Sequence, residues 1–393
     1  MLFVFSPQIA LILKNPDLTK ALRIFAIVPF FLLPTMGLDG ILATFKQSKF
    51  IAVYHISTNI FKLLCVALPV MVWDLGYEQA LMGFVISSFI TFLLALYLKY
   101  LPVRNEGNEK CDITYKDIFK FSIPLLTASL WGILISSADQ FFVSRYFGNE
   151  VFAEFSNGSM ELPFVGMIVG ACATVLSPIF SRLSHEQVDP KKDIYPLWMS
   201  VFEKTAKLIY PLVIYCLVFA DVVMVVLYGH KYEISSNYFR IKLITNFFTL
   251  IAYGPLIINI GKVKYYSNVH MFTAIIVVGL ELLSVKTIHS PYAISWISML
   301  CQVGKIFAML FLVSKFFGVK LYKLFPIKLI VQILIPSIAI LLFERWLLLD
   351  VFQLGSLLVL FVSIALYAAL YFCYSLIVKM DYASLLKPLL SKK

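Results

Sequence analysis

Apolar runs of about 20 residues recur along this chain from one end to the other, and that recurrence restricts the fold more than any other feature. A run of that length crosses the hydrocarbon core of a bilayer as a helix. Backbone facing lipid must satisfy its own hydrogen bonds, so the runs are required to be helical. An outer-membrane barrel would instead show ten-residue segments of alternating polarity, and these runs are continuous. Composition agrees: 61% of the residues are hydrophobic and 14% are charged, against about 45–50% and about 25% in soluble domains. The fold class is an all-α polytopic membrane protein.

Helices are expected at 1–13, 21–44, 50–72, 79–100, 119–145, 152–181, 203–228, 238–260, 264–285, 291–314, 325–345 and 353–378, which makes about 11–12 transmembrane helices. The first stretch, "MLFVFSPQIALILK", has neither the basic n-region nor the small-residue cleavage site of a signal peptide. It is also too short to cross by itself, and reads as the second half of a helix. No connection is long enough for a soluble catalytic domain. The longest polar connections are "LPVRNEGNEKCDITYKD" (Leu101–Asp117) and "SRLSHEQVDPKKDIYPLW" (Ser181–Trp198), and the first marks a boundary between two helical halves.

The formal charge of +11 does not point to nucleic acid, because the basic residues sit between the spans. Of the 33 lysines and arginines, 22 fall in alternate loops that include the C-terminus and 9 in the others. Lys62 and Lys305 lie inside spans. The asymmetry places the richer set, and the C-terminus, in the cytoplasm. Trp73 and Trp346 stand at span ends, where interfacial aromatics belong. Cys65, Cys111, Cys172, Cys216, Cys301 and Cys373 show no metal or redox spacing. No metal site, cofactor or catalytic residue is expected.

Polar residues inside a bilayer are expensive, so they face one another or a wet cavity. Three spans carry polar stripes at helical spacing: His55, Thr58, Asn59 and Lys62; Ser129, Gly132, Ser136 and Asp139; and Ser295, Ser298, Gln302 and Lys305. Serine, glycine and threonine stripes are also ordinary helix-packing surfaces, and Gly166, Gly170 and Thr174 read that way. Lys62 and Lys305 are too deep to snorkel and favour a cavity. Asp139 stands six residues before Arg145, so an ion pair or a helix cap competes with a cavity role. Glu161 is expected about nine residues into its helix, near mid-depth, with Asn157 one turn earlier. His55 and His270, the candidates for membrane acyl transfer, lie near span ends and suit interfacial or packing roles.

Three passages carry a family resemblance. "KFSIPLLTASLWGILISSADQFFVSRYFGNEVFAEFSNG" has a proline near a helix start, an aspartate followed by hydrophobics, and a glycine turn. "VVMVVLYGHKYEISSNYFRI" has LYG, a tyrosine, a polar stretch and an RI-type helix start. "NPDLTKALRIFAIVPFFLLPTMGLDGILATFKQSKFIAVYHI" runs through a basic loop into the next helix. In order and spacing they resemble the polysaccharide-export flippases of the multidrug/oligosaccharidyl-lipid/polysaccharide exporter superfamily.

The resemblance implies fourteen helices in two pseudo-symmetric six-helix bundles plus two trailing helices, around a central cavity. On that map Met1 falls within the third helix. It divides the chain into a truncated N-terminal bundle (1–100), a cytoplasmic linker (101–118), a C-terminal bundle (119–315), and two extra helices with a cytoplasmic tail (316–393). It implies a bacterial inner-membrane flippase for undecaprenyl-diphosphate-linked oligosaccharide, rather than an enzyme. Its partners would be that substrate, membrane lipids, and polysaccharide polymerase and chain-length machinery. On this reading Lys62 and Lys305 attract the diphosphate. Asn59, Asn157 and Gln302 hydrogen-bond sugar hydroxyls, and Asp139 and Glu161 take a coupling proton or tie the bundle together. The alternatives are a drug/cation antiporter of the same superfamily, and a membrane acyltransferase or polymerase.

Overall fold

The computed structural model describes residues 2–13, 15–45, 47–104, 114–185, 188–250, 253–380 and 382. The middle of the expected linker, residues 105–113 with Lys110 and Cys111, lies outside them, as do Lys46 and the basic tail from residue 383. Among the described residues every regular element is helical. The chain divides into two units, 1–114 and 115–393.

The first unit holds α1 (Leu2–Ile12), α2 (Leu18–Phe25), α3 (Val28–Leu32), α4 (Leu38–Thr44), α5 (Ser48–Met71) and α6 (Tyr77–Val103). The span expected at 21–44 is present but broken. Pro29 and Pro34 lack backbone donors, a 3₁₀ turn fills Leu33–Thr35, and Gly37 takes φ +84°. The carbonyls this releases find a partner: Lys99 Nζ donates to Pro34 O at 2.6 Å and to Met36 O at 2.9 Å. Leu38, Leu42, Tyr54 and Ala95 close a small core between α4, α5 and α6. Gly83 lets α6 pass directly over the Cys65 carbonyl of α5, since any Cβ there would overlap it.

The second unit holds α7 (Tyr115–Gly158), α8 (Pro163–His185), α9 (Tyr195–Val218), α10 (Ala220–Tyr228), α11 (Ser235–Ile244), α12 (Asn246–Thr249), α13 (Tyr253–Asn259), α14 (Val263–Thr287), α15 (Pro291–Phe317), α16 (Ile327–Arg345) and α17 (Ser356–Ile377). Its core runs through α9, whose Trp198, Phe202, Ile209, Val213 and Ile214 are buried among residues of α10, α15, α16 and α17. Ile135 and Ala138 of α7 meet Ala274 and Val277 of α14 in a second cluster.

Eight helical stretches among the described residues are long and apolar enough to cross a membrane, or ten if two bent pairs count as one span each. Leu2–Ile12 and Pro163–Ala173 are shorter apolar helices. Every expected segment meets one of these, but besides 21–44 three more are not the straight helices expected. The segment 152–181 is interrupted. α7 leaves helical geometry at Gly148 (φ +85°), resumes to Gly158, and yields to α8 only at Pro163. The segment 203–228 bends by 77° at Phe219, and 238–260 is split into α11, α12 and α13.

The bend at Phe219 is braced by charge. Arg345 of α16 makes two hydrogen bonds to the Asp221 carboxylate, at 2.7 and 2.5 Å, and donates to Val218 O at 2.9 Å. Arg240 of α11 donates to Asp221 at 3.3 Å and to Leu217 O at 3.3 Å. Leu217 and Val218 end α9, where carbonyls lose their intrahelical donors, and Asp221 stands in the first turn of α10, where an acid is favoured. The two arginines thus satisfy both sides of one helix break.

Candidate functional site

The second unit encloses a polar cavity of about 140 Å³. Asp139 of α7, Glu161 between α7 and α8, Tyr238, Lys242, Thr245, Asn246 and Thr249 of α11 and α12, and Ser295, Ser298 and Gln302 of α15 line it. The wall from α15 is the stripe read from the sequence, at spacings of three and four. α11 supplies the facing wall by the same rule, since Tyr238, Lys242, Thr245 and Thr249 are separated by four, three and four.

Asp139 is buried, 6% exposed, and accepts a hydrogen bond from Ser298 Oγ at 3.3 Å; the Gln140 amide donates to it at 2.9 Å. Its partner is therefore Ser298. Arg145 instead lies against the ring of Tyr146 at 5.9 Å, with Nη1 buried and without a hydrogen bond. Glu161 departs from expectation. It sits in the break between α7 and α8, its side chain 85% exposed, with an oxygen 3.8 Å from Lys242 Nζ. The helix ends at Gly158 because a Cβ there would meet Ser235 O and Tyr238, so α7 presses on α11 at a point where only glycine fits. That contact turns the chain before Glu161 can join a helix.

The other expected site residues are dispersed. Gln302 lines the cavity. Lys305, one turn further along α15, and Asn157 are half-buried and do not. Lys62 and Asn59 belong to the first unit: Asn59 is exposed, and Lys62 Nζ lies 5.2 Å from the centroid of Phe84, a cation–π contact. Of the same stripe, Thr58 bonds to Tyr54 O at 2.7 Å and His55 Nε2 meets the Asp39 carboxylate at 2.9 Å. Ser129 and Ser136 are exposed and bond to their own helix, at Leu125 O and Ile133 O. His270 donates Nδ1–H to Tyr266 O at 2.9 Å and rests on that ring. Neither histidine lines the polar cavity. A Cβ at Gly166 would meet no atom within 4 Å among the described residues, so that position is not tightly packed; the Thr174 side chain lies outside the described residues.

Two functional candidates escaped the sequence reading. Lys242 falls inside the helix expected at 238–260, but it counts there only toward the charge balance of the connections, because no polar stripe of that helix was read as a wall. Glu281 of α14 is fully buried, and neither carboxyl oxygen has a hydrogen-bond partner among the described residues. It lies within electrostatic range of Asp139. Its signal was a lone acid in the apolar run "VVGLELLS", with no polar stripe to draw attention to it. Chemically, the cavity offers hydroxyls and amides to a polyhydroxylated ligand, and charges of both signs. Among the described residues no group of histidine, cysteine and acids could hold a metal.

A family described as polysaccharide biosynthesis protein matches residues 1–237. A Shigella flexneri protein named "Putative O-antigen transporter" is 23% identical over 284 residues, 69% of this chain. The chain spans 65% of that relative's length. Among solved structures, the lipid II flippase MurJ in an inward closed conformation matches with a TM-score of 0.69 at 17% identity, over 96% of this chain and 79% of that one. At that identity the likeness concerns the fold, and it is the fold of an all-helical, multi-pass membrane protein. The family match covers more than half of a chain whose spans and buried polar wall were already evident: the chain belongs to the polysaccharide biosynthesis protein family.

Proposed function

We propose that this chain is a flippase that moves undecaprenyl-diphosphate-linked oligosaccharide repeat units across the bacterial cytoplasmic membrane for surface-polysaccharide synthesis, with its C-terminus on the cytoplasmic side. One observation carries the reading: a cavity lined by serines, threonines, Asn246, Gln302 and opposed charges, held inside a unit whose outer surface is apolar. A bilayer-spanning protein keeps such groups only where a polar cargo or water must pass. The family and the named relative favour a lipid-linked sugar as that cargo.

In this mechanism no bond is made or broken. Gln302, Ser295, Ser298 and Asn246 bind sugar hydroxyls, and Asn157 and Asn59 offer further amides to them. Lys62 and Lys305 attract the diphosphate as point charges, since three rotatable donors suit a phosphate met in several orientations. Asp139 and Glu161 are the coupling or structural carboxylates, Asp139 through its bond to Ser298 and Glu161 through Lys242. The released unit then passes to polymerase and chain-length machinery. An acyltransferase is disfavoured by the places of the histidines, since neither His55 nor His270 lines the polar cavity. A drug antiporter is disfavoured by the lysines within spans.

The test is expression of the chain in a bacterium lacking its O-antigen transporter. Surface polysaccharide should reappear, and the lipid-linked repeat unit should be formed equally with and without the chain. If the membrane-inserted chain changes the amount or structure of the lipid-linked unit, but not its side of the membrane, the flippase reading fails.

A further inference from the structure

Two cavities near the ends of α9, α16 and α17 share a single side chain, and together they have the form of a lipid. The first, about 440 Å³, is the more polar of the two: Glu203 and Lys207 of α9 face Pro326, Ile327, Lys328, Leu329 and Gln332 at the start of α16. The second, about 530 Å³, is apolar and opens between α9 and α17. Lys207 stands in its lining too, followed by Leu208, Pro211, Leu212, Ile364 and Ala368.

The apolar crevice also contains tyrosines, and their hydroxyls are all engaged by the protein. Tyr215 OH meets Ser363 Oγ at 2.8 Å, and Tyr367 OH donates to Pro211 O at 3.4 Å. Tyr371 and Tyr382 hydroxyls are 3.0 Å apart, and Tyr382 OH donates to Lys207 O at 3.1 Å. What the tyrosines present to the crevice is therefore ring surface, which favours hydrocarbon over a polar solute. The same hydrogen bonds fix the wall, so the crevice is preformed. Leu208 and Leu212, 40% and 43% exposed, continue it outward along α9 onto the lipid-facing surface.

Among the described residues the polar end has two lysines and one glutamate, a net single positive charge. It lies on the face that the lysine excess assigns to the cytoplasm, where basic pockets between transmembrane helices receive lipid headgroups. Glu203 precedes Lys207 by four residues on α9, a spacing that places the acid beside the base. A headgroup fitting this end carries one negative charge and hydroxyl donors for Glu203 and the Gln332 amide.

We propose that these joined cavities form a binding site for an anionic diacyl phospholipid of the phosphatidylglycerol class. Its phosphate lies against Lys207 and Lys328, and one acyl chain lies in the crevice between α9 and α17. The site is separate from the polar cavity around Asp139 and shares no residue with it. It ties the two trailing helices to the rest of the second unit through a lipid.

The experiment uses the full chain, purified in a neutral detergent, with thermal unfolding as the readout. Phosphatidylglycerol should raise the midpoint by several degrees more than phosphatidylethanolamine or phosphatidylcholine of identical chains. Lys207→Gln with Lys328→Gln should abolish that difference, whereas Lys320→Gln with Lys323→Gln, which removes the same charge from the same side, should keep it. Equal stabilisation by the zwitterionic lipids, or by soluble glycerol phosphate, would overturn the proposal. So would a preference that survives in the Lys207/Lys328 variant.

Because that variant could fail to fold, the wild-type chain is also labelled with phosphatidylglycerol bearing a photoreactive acyl chain. Adducts should fall on peptides containing Leu208–Cys216 or Leu360–Tyr371. Adducts confined to other helices, or adducts displaced by a polyprenyl phosphate but not by unlabelled phosphatidylglycerol, would assign the crevice elsewhere.

Discussion

At the scale of single residues, the charges inside this protein differ by what they touch. Asp139 is buried yet bonded to Ser298, so Asp139→Asn keeps a group of the same shape and a hydrogen bond. It is expected to fold normally and to lower transport about tenfold or more, as removal of an intramembrane functional charge does; normal transport would reduce Asp139 to a structural tie. Glu281 has no such bond among the described residues. A carboxyl buried without a partner opposes folding, and its replacement by an apolar side chain is typically worth about 1–3 kcal/mol. Glu281→Leu should therefore raise the melting temperature, and a fall would reveal a partner that Glu281 requires. Lys62→Glu and Lys305→Glu test the proposed diphosphate role. Each should reduce surface polysaccharide while leaving the amount of protein in the membrane unchanged, and normal polysaccharide in both would remove the lysines from the mechanism. Lys62 has a second tie, its contact with Phe84, so Lys62→Arg should retain function better than the glutamate variant.

At the scale of elements, the breaks are where this structure is specified. The bend between α9 and α10 leaves carbonyls to which Arg240 and Arg345 donate, and both also hold Asp221. Arg345→Leu removes a two-point charged contact that is about a third exposed, and should cost about 2 kcal/mol, read as a lower unfolding midpoint. Two glycine substitutions give a matched comparison. Gly158→Ala drives a Cβ into Ser235 O and Tyr238, and should cost about 1–3 kcal/mol. Gly166→Ala meets nothing within 4 Å and should be neutral or slightly stabilising, since alanine is the better helix former. Equal effects would mean that the close approach of α7 to α11 is not a constraint. Pro29 and Pro34 are local signals for the break in the segment 21–44, although the expected helix ran straight through them. The bend at Phe219 has no such signal, because no proline or glycine stands there and the arginines that brace it lie elsewhere in the sequence.

At the scale of the whole molecule, each unit carries its own core, and they differ in depth. In the second unit α9 is buried along most of its length, whereas the first unit's α2–α4 segment is broken three times and largely exposed. Hydrogen exchange on the purified chain should accordingly leave the amides of α9 as the slowest, with residues 25–37 exchanging much sooner; the reverse order would contradict the burial. Local pattern determined a great deal. Twenty-residue apolar runs leave helices as the only stable form in lipid, and the stripe Ser295, Ser298, Gln302 was readable because a helix returns to one face every three to four residues. The facing wall at Lys242, the unpartnered Glu281 and the arginine brace on Asp221 were decided only by tertiary structure. A span's hydropathy says that it crosses, but not which neighbour it meets. Buried polar groups take their meaning from partners on other helices, here from residues separated by more than a hundred positions in the chain.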